Sequence, residues 1–271
     1  MMKAYEKYKD SGIKWLGSIP QNWKCSAIKH VLSIPITDGP HTTPELIENG
    51  IPFISAEAIK DGKIDFEKRR GFISEKDYEV FSQKYIPKIY DVYMIKSGAT
   101  TGNVAMLESD EKFTIWSPLA VFRANQDKVL PKYLHYYLQS NNLRYGVELS
   151  WSYGTQQNIG MGVLSNLRIS YPSLKEQTHI ANYLDHQTNI IDDLIKQKEK
   201  LIELLKEQRQ AIINEAVTKG LNPNTRMKDS GIEWLGEIPE DWTVSKIKFV
   251  ATIKGRIGYK EIGRASCRER V

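Results

Sequence analysis

The chain has 271 residues, 38 Lys and Arg against 33 Asp and Glu for a formal charge of +5, and 41% apolar residues. That is room for one large domain or two modest ones around an ordinary core, and the mild positive charge permits nucleic-acid binding without demanding it. A membrane span is excluded by the lack of any run of about 18 apolar residues, and a disulfide scaffold or cysteine zinc site by having only two distant cysteines, Cys25 and Cys267, which fit a reducing cytosol.

The opening "MMKAYEKYKD" has no apolar signal core. It leads into "KDSGIKWLGSIPQNW", residues 9–23, which recurs as "KDSGIEWLGEIPEDW", residues 228–242. About sixteen of twenty-six positions match between 9–34 and 228–253, at an offset of about 219. That offset is too long for a solenoid period and implies duplication of a domain-plus-connector unit. With Trp15, Leu16, Ile19 and Trp23 so close together, the element is expected to be a packing anchor rather than a ligand site, because buried aromatics contribute large stabilising terms.

Residues 31–172 hold short apolar runs broken by Gly, Pro, Asn and Asp. "GIPFISAEAI", "DVYMIKSG", "NVAMLES", "FTIWSPLAVFRA" and "LRISYPSL" read as strands or strand ends. "PKYLHYYLQSNNLRYG" has helical spacing, with Tyr133, Leu134, Tyr137 and Leu138 on one side and Pro131 suited to the first turn. Regular βαβ alternation is missing, so the expected class is α+β.

Two polar stretches of this domain can read DNA. In "KSGATTGN", residues 96–103, the glycines let backbone approach a ligand closely. Lys96 supplies charge, and Ser97, Thr100, Thr101 and Asn103 supply donors and acceptors. The same residues suit a plain hairpin turn. "SWSYGTQQNIG", residues 150–160, offers Tyr153, Thr155, Gln156, Gln157 and Asn158, of which Gln and Asn pair bidentately with adenine. It reads equally as a polar loop closing the domain. Two weaker candidates are "DGPHTTPE", 38–45, and "EKRRGF", 67–72, where Lys68, Arg69 and Arg70 can hold phosphate without reading sequence.

From Leu174 to Lys219 there is neither Pro nor Gly. Ile180, Leu184, Ile191, Leu194, Leu201, Leu205 and Ile212 recur by fours and threes, with Gln187, Lys198 and Gln208 interrupting the seam. Such a helix is roughly 65 Å long at about 1.5 Å per residue and needs a partner helix for its apolar face. Gly220 ends it, and "LNPNTRM" is a linker to the second copy of the opening element. The final "EIGRASCRERV", residues 261–271, has no apolar period and is expected to be foreign to the native protein.

No phosphate-binding loop, dinucleotide fingerprint, nucleophile elbow, H-E-x-x-H or amino-methyltransferase tetrapeptide occurs. The five histidines show no metal-ligand spacing, so no metal site is expected. Lacking such motifs, the domain-plus-long-helix layout points to a binding and assembly protein, with a coiled-coil scaffold that does not bind DNA as the alternative.

The openings, "TDGPHTTPE…GIPFIS", "KSGATTGNVAML" and above all the run from "TQQNIGMGVLSNLRISYPSLKEQ" to "INEAVTKGL" resemble the DNA-specificity subunit of type I restriction–modification systems, in order and spacing, up to about Tyr259. The resemblance implies two target-recognition domains, each reading half of a bipartite site in double-stranded DNA. Each is followed by a long helix, and the two helices pair antiparallel as a spacer ruler. It also implies a non-catalytic, cytoplasmic subunit without a cofactor, docked to methyltransferase and restriction subunits that use S-adenosylmethionine, ATP and Mg2+. On this basis 1–172 is the first recognition domain and 173–220 the helix. Residues 221–260 are the linker and the truncated start of a second domain, so a homodimer through the helix is one way to complete the assembly.

Overall fold

The computed structural model describes residues 5–149 and 158–251. The chain forms two compact units, Met1–Ile190 and Ile191–Val271, and the fold is α+β. The division falls inside the long helix rather than ahead of it, because the helix's first turns belong to the packing of the first unit.

The first unit opens with the antiparallel hairpin β1 (Tyr8–Asp10) and β2 (Ser18–Pro20). Then come β3 (Lys24–Ala27), β4 (Thr37–Asp38), β5 (Ile51–Ile54), β6 (Ile59–Lys60), β7 (Lys63–Ile64) and β8 (Gly71–Ile73). Helix α1 (Glu75–Ser82) starts where the Ser74 hydroxyl accepts from the Asp77 N–H at 3.1 Å. After it run β9 (Val92–Ile95), β10 (Val104–Met106), β11 (Thr114–Ile115) and β12 (Leu119–Phe122). Helices α2 (Pro131–Leu138), α3 (Asn141–Leu149) and α4 (Met161–Asn166) follow, then β13 (Arg168–Tyr171) and α5 (Leu174–Lys219).

An antiparallel sheet in the order β10-β9-β12-β4 lies at the centre. Its strands send alternate residues to two cores. Val92, Met94, Ala120 and Phe122 join Leu134, Leu138, Leu143 and Ile169 on one face. Tyr93, Ile95, Leu119 and Val121 meet Ile54, Phe113 and Ile115 on the other. Burial on both faces is why these strands read as unbroken apolar runs instead of alternating ones. Beside it stands the mixed sheet β11-β5-β8, in which β5 pairs parallel with β11 and antiparallel with β8.

Helix α5 begins docked. Gln177, fully buried, accepts from the Leu130 N–H at 2.8 Å and donates to the Lys128 and Pro172 carbonyls at 2.9 and 3.0 Å. Ile180 packs against the core that holds Tyr133 and Leu134, and Asp185 accepts from Lys132 Nζ and the Tyr136 hydroxyl at 2.6 and 2.7 Å. Two of the expected helix-pairing residues also meet their own domain: Ile180 is partly buried against it, and Leu184 is half-buried beside it. Ile191, Leu194, Leu201, Leu205 and Ile212 stay exposed.

The second unit carries β14 (Met227–Asp229), β15 (Glu237–Pro239) and the short α6 (Ile247–Val250). The sequence repeat is also a structural repeat. Tyr8 faces Pro20 and Asp10 faces Ser18 in the first hairpin; Met227 faces Pro239 and Asp229 faces Glu237 in the second. Ser11 N–H donates to the Gly17 carbonyl at 2.9 Å, and Ser230 to Gly236 at 3.0 Å. The anchoring side chains differ between the copies. Trp15 lies against Gly146 of α3, where an added Cβ would stand 2.8 Å from its ring, and Trp23 Nε1 donates to Glu176 at 3.1 Å. Trp242 reaches Gly220 at the end of α5, whereas Trp234 is 84% exposed among the described residues. The expected foreign tail, 261–271, lies outside the described residues.

Candidate functional site

Strands β9 and β10 are joined by residues 96–103, which form a tight hairpin loop. Gly102 N–H donates to the Ile95 carbonyl at 2.8 Å, and the Asn103 N–H to that of Thr100 at 3.1 Å. Gly98 and Gly102 sit at φ 112° and 95°, a region that side chains rarely adopt, so glycine is required at both. Ala99, Thr100 and Asn103 are left exposed at the tip. The loop is thus a hairpin turn, and it is also a presented polar surface.

The structure brings the end of the second polar stretch to this loop. Asn158 bridges Ser97, and Ile159 N–H donates to the Lys96 carbonyl at 2.7 Å. Tyr153, Thr155, Gln156 and Gln157 lie outside the described residues. Thr101 faces inward along the loop, its hydroxyl donating to the Gly98 carbonyl at 2.7 Å.

Lys96 departs from its expected role as a free charge. It is 7% exposed, with Nζ 3.3 Å from Asp38. Asp38 is itself buried and takes a second ammonium, Lys84 Nζ, at 2.5 Å, with His41 Nε2 at 3.4 Å. Burial opposes charge on this carboxyl, but the hydrogen bonds and fields of Lys84 and Lys96 outweigh it and hold its pKa below the usual range. The "DGPHTTPE" stretch therefore supplies the fixed base of the loop: Asp38 anchors the first residue of the hairpin connection to the central sheet.

The three basic residues of "EKRRGF" do not form one patch. Lys68 is exposed, 3.9 Å from Asp65. Arg69 lies over the Phe72 ring at 4.5 Å and donates to the Phe66 carbonyl at 2.9 Å. Arg70 lies over the Trp116 ring at 3.9 Å and 3.8 Å from Glu57. Trp116 and Glu57 line a groove of about 520 Å³ together with Ser97, Thr100, Asn103 and Lys60. A second cleft of about 500 Å³ opens on the other side of the hairpin, lined by Thr101, Asp61, Gln139 and Arg144. Sequence reading missed Glu57 and Trp116. The one signal for Trp116 was the Ser117–Pro118 break just after it, which divides an apolar run into β11 and β12. Among the described residues, no group of three His, Cys, Asp or Glu side chains is placed to hold a metal ion, and no helix is long and apolar enough to cross a membrane.

The model of the type I restriction modification DNA specificity domain matches residues 20–204, which include the hairpin, the groove and most of α5. The chain belongs to this family. Among curated members of the specificity-subunit group, it is 31% identical over 268 residues to a protein of Methanocaldococcus jannaschii assigned as the type I restriction enzyme MjaX specificity subunit. It is 27% identical over 264 residues to the MjaVIII specificity subunit of the same organism. Each match covers 94% of this chain but only 60% and 55% of the relative, so the chain spans a little over half the length of these specificity subunits. Two solved structures share the fold. One, described as showing complex assembly and conformational transition of the type I R-M system, superposes with a TM-score of 0.59 at 24% identity over 75% of this chain and 47% of its own. The other, the HsdS subunit of Thermoanaerobacter tengcongensis, gives 0.52 at 17% identity over 79% and 55%.

Proposed function

We propose that this type I specificity-family chain supplies DNA sequence recognition to a restriction–modification complex. Its first unit reads one half of a bipartite site in double-stranded DNA. Helix α5 pairs with a second such helix and sets the spacing between halves. Methyltransferase and restriction subunits dock on the assembly, which works in the cytoplasm. The chain performs no catalysis and takes no cofactor of its own; S-adenosylmethionine, ATP and Mg2+ serve the docked subunits.

The observation that carries this reading is the rigid, polar-tipped hairpin 96–103, joined to Asn158, inside a stretch matched by a DNA-specificity domain model. A two-stranded ribbon of this kind fits the major groove, where Ser, Thr and Asn side chains meet base edges. Holding the loop on the central sheet through Asp38 fixes the tip before DNA arrives, which cuts the ordering cost of binding. The test is a selection from a randomised duplex library with the purified chain. Replacing Ser97, Thr100 and Asn103 together by Ala is expected to flatten sequence preference roughly tenfold or more, while salt-dependent affinity for arbitrary DNA persists. A wild-type chain with no salt-dependent DNA binding overturns the reading and favours a protein-binding scaffold.

A further inference from the structure

Resting on that DNA-reading function, we infer that Arg70, Glu57 and Trp116 form a second recognition element, one that reads a single G·C base pair. The three residues are far apart in sequence and are gathered by strand β5. Arg70 N–H donates to the Phe53 carbonyl at 2.9 Å from one side of β5, Trp116 N–H donates to the Ile54 carbonyl at 2.8 Å from the other, and Glu57 lies in the short turn Ala56–Ala58 just beyond its end. The Trp116 ring meets Phe53 on a centroid distance of 6.4 Å, and its buried indole N–H has no partner among the described residues, so packing alone holds the ring in place. The guanidinium of Arg70 lies over that ring at 3.9 Å. A stacked guanidinium keeps its planar fork in one orientation.

The chemistry of the pair favours a base over a phosphate. A phosphate-binding arginine is free of neighbouring carboxylates. The guanidinium of Arg70 instead has one face covered by the Trp116 ring and a carboxylate, Glu57, at 3.8 Å that would repel a phosphate. What Arg and Glu side by side complement is a surface with two acceptors next to a donor. In the major groove guanine offers the acceptors O6 and N7, and its partner cytosine offers the N4 amino donor. Glu57 and Trp116 also line the groove that holds Ser97, Thr100 and Asn103, so this pair would be read alongside the bases contacted by the hairpin. Arg70 is thereby reassigned from sequence-blind affinity to specificity.

The test selects half-site sequences with the full-length chain and three near-isosteric variants, Arg70→Lys, Glu57→Gln and Trp116→Phe, each checked for its near-ultraviolet circular dichroism and melting midpoint. The wild-type motif is expected to contain a fixed G·C pair. R70K keeps the charge but loses the fork, and should lower discrimination at that one position by roughly ten- to a hundredfold. E57Q should relax the same position, and W116F, which keeps an aromatic face, should retain most of it. Preferences unchanged at every position in R70K and E57Q, or affinity lost evenly across all sequences, overturn the inference while leaving the DNA-reading function standing. Absence of any selected motif for the wild type defeats the function itself.

Discussion

Asp38 is the residue on which the proposed reading surface depends most. It is 6% exposed and faces two ammoniums, one of them the buried Lys96 at the root of the hairpin. Removing one member of a buried charge cluster leaves the others uncompensated, at a cost of about 3–5 kcal/mol. Asp38→Asn should therefore lower the stability of the first unit by that order in urea titrations, and loosen the hairpin enough to reduce sequence preference. His135 sets a pH dependence. Burial is the main cause that lowers its pKa from 6.5 to about 4, with nearby Asp185 opposing and Lys132 assisting. Above pH 6.5 neither state binds this proton. As pH falls from 6.5 to 4 the unfolded chain takes it up and the folded chain does not, so stability drops, by on the order of 3 kcal/mol in all. Unfolding at pH 6.5, 5.5 and 4.5 should follow that slope, and His135→Asn should flatten it; an unaltered slope would assign the acid sensitivity to other groups.

At the scale of elements, what was legible in the sequence was whatever depends on local chain chemistry. The span of α5, Leu174–Lys219, coincides with the stretch free of Pro and Gly. Helix α2 starts at Pro131, and the strands lie where the apolar runs are. What escaped was whatever depends on which distant segment covers a surface. The heptad pattern put Ile180 in line with Leu194, but only tertiary packing reveals that Ile180 is partly buried against the domain. Lys68, Arg69 and Arg70 read as one basic run because they are neighbours. In the fold, backbone leading into β8 turns Arg69 to Phe72 and Arg70 to Trp116, as alternation in extended chain requires. Nothing in the local sequence singles out Gln177, yet it uses its whole amide to join α5 to the backbone ahead of it, at Lys128, Leu130 and Pro172. Gln177→Leu would remove the side-chain partner of three backbone groups at least partly buried, and should cost roughly 2–4 kcal/mol in chemical denaturation.

For the molecule as a whole, the remaining length of α5 poses the last question. Ile191, Leu194, Leu201, Leu205 and Ile212 are 45–58% exposed, and Ile195, Ile202 and Ile213 widen the same apolar surface. A helix with such a face is not stable as a lone rod in water, and its mixed charges, as in the Lys206–Glu203 pair at 2.7 Å, suit solvated flanks beside a helical seam. The helix of a second copy carries the same apolar face and is a partner of matching chemistry. The chain is therefore expected to be dimeric at micromolar concentration by light scattering. Leu194→Glu combined with Leu205→Glu should return it to monomer without changing the melting of the first unit, since neither residue is buried there. Ile180→Glu should do the reverse, lowering the melting midpoint of the domain, since Ile180 packs partly buried against its core. Two paired recognition domains would bind a duplex carrying two correctly spaced half-sites more tightly than one half-site, by a factor on the order of 10²–10⁴. The double glutamate variant should lose that gain and keep its half-site affinity. A wild-type chain that stays monomeric up to high concentration, and binds one and two half-sites equally well, would assign the exposed seam to a different partner.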